Sequence, residues 1–154
     1  EVARAAAQAP PAAIHTKEPE QQGERRVRIE AEAQTPLLQF AYHSIAGADE
    51  RLPTLDLLAR ILTDGDASRL RRALVEEQKV AISADSYIDA GFDPGLVWFV
   101  LALPAGADLG KAEPAYNVEI DRLIGSGVTQ VELDRARNQA KRNAGNCLVR
   151  YRPG

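Results

Sequence analysis

The chain has 154 residues, 45% of them hydrophobic and 27% charged, with a formal net charge of −3. That length suits one domain with its own core, and the mildly acidic balance excludes the basic footprint of a nucleic-acid binder. No apolar run is long enough to span a membrane, the lone Cys147 can form no internal disulfide, and a chain without methionine or a signal peptide reads as a piece excised from a longer one.

Residues 1–24 read as an interdomain linker. Ala9-Pro10-Pro11-Ala12-Ala13 is followed by the polar run 16–23, and proline blocks regular hydrogen bonding where little apolar surface exists to bury. Ala3–Gln8 fits the tail of a helix begun upstream. Residues 25–154 then read as one domain. Arg26–Ala33 alternates Val27, Ile29 and Ala31 with charged residues, the pattern of a half-buried strand. Gln34-Thr35-Pro36 is a turn. Leu37–His43 follows as a second strand, apolar on both sides and therefore expected in the middle of a sheet.

A helix opens at Leu52-Pro53-Thr54, buries Leu55, Leu58, Ile61 and Leu62, and stops near Gly65, which supplies a left-handed turn. A second helix starts just after it. Asp66 or Ser68 is placed to cap its N–H groups, Leu70, Ala73 and Leu74 form its apolar stripe, and Val75 falls off that stripe toward solvent, a cleft or a partner. Val80–Ile88 alternates, Gly91–Gly95 turns, and Leu96–Leu103 is densely apolar, so these make an antiparallel pair. A helix beginning around Glu113-Pro114 presents Tyr116, Ile120, Leu123 and Ile124. The last helix opens on a capping box, Thr129-x-x-Glu132, and continues with Leu133, Ala136 and Ala140 toward Gly145. The order ββααββαα predicts an α+β fold, an antiparallel or mixed sheet with helices packed on one face.

Searching these elements for chemistry yields little. His15 lies in the linker and His43 at a strand end, and neither belongs to an H-x-x-E-H or H-E-x-x-H pair. Glu76 and Glu77 leave their helix about 100° apart and cannot share a proton. Arg69, Arg71 and Arg72 flank an apolar stripe and read as its wet side, with Arg69 tied to a nearby helix end. No G-x-S-x-G, phosphate-binding loop or G-x-G-x-x-G occurs.

Several segments taken together, over roughly 18–145, resemble the C-terminal, metal-free domain of the pitrilysin-type zinc metallopeptidases, the inverzincins, relatives of the mitochondrial processing peptidase. They are Leu58-Ala59-Arg60-Ile61-Leu62, Gly65-Asp66-Ala67-Ser68-Arg69-Leu70, Ala73 through Ala81, Asp93-Pro94-Gly95-Leu96, and Gly127 through Arg137 with its Thr129 and Glu132. The resemblance implies a protein of two similar halves, with the domain at 25–154 truncated at its C-terminal end. One half holds zinc through H-x-x-E-H and a distal glutamate, and this half, carrying no metal ligand or catalytic residue, closes over a peptide substrate. Zinc is thus expected in the parent protein and no cofactor in this piece, which alone should be inactive. The partner is a zinc-bearing N-terminal domain or subunit, and the family favours a periplasmic location. Where the family often carries an Arg and a Tyr facing the substrate, this chain has Val75 and Ile82, and neither can donate a hydrogen bond. A structural or assembly protein of the same fold is the alternative, and an unrelated α+β binding module a third reading.

Overall fold

The computed structural model describes residues 19–32 and 34–150, with side chains through residue 143. The chain divides into two units, Glu1–Glu32 and Ala33–Gly154. The expected linker is therefore described only from residue 19. The helix tail at Ala3–Gln8, His15, the side chain of Cys147 and residues 151–154 lie outside the described residues.

In the first unit, 19–32 forms no helix or strand and is exposed. Gln21 donates to the Gly23 carbonyl at 2.6 Å, and Arg26 and Arg28 pair with Glu24 and Glu30 at 2.6 and 3.5 Å. Of the strand expected at Arg26–Ala33, the described residues 26–32 form no part: Val27 and Ile29 are 84% and 83% exposed. Alternation determines which residues would share a face, but a strand exists only where a partner completes its ladder.

The second unit is an α+β layer pair. β1 (Leu37–His43) and β2 (Ser83–Ile88) flank β3 (Leu96–Ala102) in the antiparallel order β1-β3-β2. Leu37 pairs with Ala102 and His43 with Leu96, while Ser83 pairs with Ala102 and Ile88 with Val97. Among the described residues β3 is central and β1 is an edge, so the expectation of a central Leu37–His43 is corrected. The strand buried on one face and half-covered on the other is β3, whose exposure alternates without a fully exposed position.

α1 (Leu52–Thr63), a π-helix (Arg71–Glu77), α2 (Leu109–Ser126) and α3 (Gln130–Arg150) complete the unit. The core joins Leu62, Leu70 and Leu74 to Ala84, Phe99, Leu101 and Leu103 and to Tyr116 of α2. Tyr116 stacks flat on Phe40 of β1, the ring centroids 3.7 Å apart and the planes 8° from parallel, and Phe99 lies tilted against it at 6.1 Å. α2 starts a turn earlier than the sequence suggested, because Asp108 caps it by accepting from the Gly110 N–H at 2.9 Å. Pro114 consequently falls inside the helix rather than at its start.

The second predicted helix is wound as a π-helix. Its i→i+5 spacing brings Val75 over Leu70, and Val75 packs against the core instead of leaving it. The helix ends with Lys79 in the left-handed region at φ 56°, while Val80 and Ala81 donate to the Leu74 carbonyl at 2.9 and 3.1 Å. That conformation suits glycine and strains a side-chain-bearing residue. Lys79→Gly should therefore raise the unfolding free energy by about 1 kcal/mol in urea denaturation. A loss of stability would mean that the lysine side chain supports this turn.

Candidate functional site

The segments that carried the family resemblance meet at one junction. Gly65 ends the loop after α1 at φ 81° and accepts from the Ser68 N–H at 3.1 Å. Ser68 is fully buried, and its Oγ has no hydrogen-bond partner among the described residues. It does not act as the side-chain cap expected of it: its backbone carbonyl accepts from the Arg72 N–H at 2.9 Å, but no N–H reaches its Oγ among the described residues. Asp66, the other expected cap, pairs with Arg71 at 3.1 Å. Leu70, also fully buried, anchors this turn in the core.

Between the two flows of chain stands Arg69. Its Nε donates to Glu132 Oε1 at 2.6 Å and one terminal nitrogen to Glu132 Oε2 at 2.8 Å, a bidentate pair. The same nitrogen reaches the Gly127 carbonyl at 2.8 Å. Gly127, at φ 69°, is the C-cap of α2. Glu132 belongs to the capping box of α3: Thr129 N–H donates to its Oε2 at 2.8 Å, and its own N–H donates to Thr129 Oγ1 at 3.3 Å. One guanidinium thus joins the start of the π-helix, the end of α2 and the start of α3.

The side chains of Arg69 and Glu132 are only 14% and 17% exposed. Hydrogen bonds from Arg69, with those from Thr129 helping, hold the Glu132 carboxyl at about 2, well below its usual range, and the Arg69 guanidinium is held still more firmly protonated by Glu132. The stabilisation from a depressed carboxylate is complete above its unfolded pKa and is lost as pH falls through the folded value. Acid titration of the wild-type chain should show a loss of stability between about pH 4.5 and 2 that is absent from Glu132→Gln. An identical acid limb in both proteins would remove Glu132 from that role.

Two grooves border this unit's helices. The first, about 340 Å³, lies beside the junction and is lined by Arg69, Arg72, Glu77, Glu119 and Arg122. Its charges are already matched: Arg72 with Glu77 at 2.8 Å, and Arg122 with the buried Glu119 at 2.5 Å. The second, about 360 Å³, runs along β2 against α1. There Arg60 bridges Asp56 and Asp64 at 2.8 and 3.0 Å, and the Thr63 and Ser86 hydroxyls meet at 2.7 Å. Ile82, the residue before β2, is 54% exposed, whereas Val75 is partly buried in the core, so the two positions expected at a substrate cleft stand in different environments. Among the described residues no three His, Cys, Asp or Glu side chains come together as metal ligands. These residues do not fit a zinc centre. No helix among the described residues is long and apolar enough to cross a membrane.

Such a unit, three antiparallel strands layered with helices that are locked by an arginine at their junction, is an α+β half-domain whose described residues form no metal centre. Its sequence matches the profile of the peptidase M16 inactive domain over residues 3–140, and the chain belongs to that family. A search of curated proteins finds no match. Among solved structures, a candidate zinc protease from Bordetella pertussis Tohama I is 33% identical, with a TM-score of 0.66, over 75% of this chain and 63% of its own. The inactive peptidase domain of a candidate zinc protease from Bordetella parapertussis is 30% identical, with a TM-score of 0.62, over 76% and 63%. A protease from Helicobacter pylori shares the fold at 20% identity and a TM-score of 0.70, over 76% of this chain and 28% of its own. The chain thus spans between about a quarter and two thirds of the length of these three structures.

Proposed function

We propose that this chain is the non-catalytic half of a zinc-dependent endopeptidase and encloses a peptide substrate against a zinc-bearing companion domain. The observation that carries the reading is the match to the inactive-domain family over 3–140. The groove chemistry agrees with it: the arginines that line the two grooves are engaged with carboxylates, Arg60 with Asp56 and Asp64, Arg69 with Glu132, Arg72 with Glu77 and Arg122 with Glu119. The half therefore contributes walls and packing. Water activation, and polarisation of the scissile carbonyl, fall to the companion's metal centre.

The test compares this chain alone with the same chain joined to its zinc-bearing companion in a peptide digestion assay with parallel metal analysis. Cleavage should appear only in the joined form, and the chain alone should hold no stoichiometric zinc. Zinc-dependent cleavage by the chain alone would overturn the proposal. A structural or assembly role is favoured by one observation, the packing of the partly buried Val75 against the core rather than into a groove. A joined form that holds no zinc and cleaves nothing would decide for it.

A further inference from the structure

One ion pair on the π-helix belongs to its winding. Arg72 Nε donates to Glu77 Oε1 at 2.8 Å, across five residues. In an α-helix residues five apart point about 140° away from one another, and side chains meet three or four apart. Winding of the i→i+5 kind puts positions 72 and 77 on one side. The backbone shows that winding in the Gln78 N–H, which donates to the Ala73 carbonyl at 3.0 Å. The same winding packs Val75 against the core. Wound as an α-helix, the segment would keep Leu70 and Leu74 about 40° apart on the buried face. Residue 75 would then stand about 140° from Leu70, off that face and toward solvent.

The π winding is rare in itself. Two contacts favour it here, the packing of Val75 and the Arg72–Glu77 pair. The pair's side chains are 69% and 54% exposed, so water and salt reach it freely. Glu76, Glu77, Gln78 and Lys79 are all exposed, so no packed side chain between Val75 and Val80 opposes a change of winding. From this we infer that Arg71–Glu77 is a two-state element. It is a π-helix while the Arg72–Glu77 pair is closed and an α-helix when the pair opens, and the change carries residue 75 from the core to solvent. Rising ionic strength screens the pair and biases the segment toward the α form. The device stands whether or not the chain serves a peptidase.

The experiment follows the rate at which a maleimide labels a thiol introduced by Val75→Cys, with Cys147→Ser removing the native thiol. Adding Glu77→Ala should raise that rate up to about fivefold, the ceiling for an exposed ion pair. About 1 M NaCl should do the same while Glu77 is present, and have little effect once it is gone. Arg72→Glu combined with Glu77→Arg should restore the slow rate, because the lock needs only opposite charges five residues apart. A thiol introduced by Ala84→Cys, at a buried strand position that neither winding exposes, should label equally slowly in every background, which separates rewinding from global unfolding. The chain with Val75 intact gives a second reading by NMR: cross-peaks between the Val75 methyls and the core should weaken in salt and with Glu77→Ala. A labelling rate at position 75 that Glu77→Ala leaves unmoved overturns the switch, as does an equal rise at position 84.

Discussion

Replacing Tyr116 with alanine should cost about 4 kcal/mol of unfolding free energy in guanidinium denaturation, enough to leave much of the chain unfolded at 37 °C. Tyr116 is fully buried, stacks on Phe40 and touches Phe99, and so joins α2 to both β1 and β3. Truncation removes a large apolar transfer term and opens a cavity between two layers that short loops keep apart. The companion variant separates packing from polarity. The Tyr116 hydroxyl is buried without a satisfied hydrogen bond, and burial pushes its pKa well above the ordinary value. Tyr116→Phe should therefore be neutral or slightly stabilising, because it removes a desolvated polar group and keeps the ring. A loss above about 1 kcal/mol in Tyr116→Phe would show that the hydroxyl has a partner in solution, with Tyr42 the nearest candidate.

Arg69→Ala should cost about 3 kcal/mol by the same measurement, the range for breaking a largely desolvated ion pair. Three hydrogen bonds are lost at once, and Glu132 is left mostly buried with its charge unmatched. A charge-swapped pair, Arg69→Glu with Glu132→Arg, tests whether the pair is more than an attraction between opposite signs. The swap should not restore stability, because a carboxylate at 69 would face the Gly127 carbonyl and an arginine at 132 cannot accept from the Thr129 N–H. Full recovery in the double variant would reduce the junction to a simple ion pair. Under the proposed function, Arg69→Ala in the joined form should lower peptide cleavage only in proportion to the fraction unfolded, since the residue positions helices.

Much of this was legible from residue order. Helical spacing located α1, the capping box located α3, and the apolar density of 96–103 marked a strand paired with 80–88, because each is a local signal read over one or two turns of chain. Gly65 announced its own left-handed turn for the same reason. The π-helix was not legible. A one-residue change of helical repeat shifts Val75 onto the core face, and a stripe of three apolar residues cannot distinguish the two repeats. Nor was the start of α2, where Asp108 was a sufficient cap but Pro114 drew attention six residues later.

What the sequence determined alone is most of the local elements, the α+β class and the family, since these depend on neighbours within a few residues and on motifs kept in order. The tertiary structure alone decided that β3 rather than β1 lies at the sheet centre, that the described residues 26–32 form no strand, and that Arg69 reaches a glutamate 63 residues away. Each of these depends on a partner distant in the chain, and neither alternation nor helical period encodes which partner arrives.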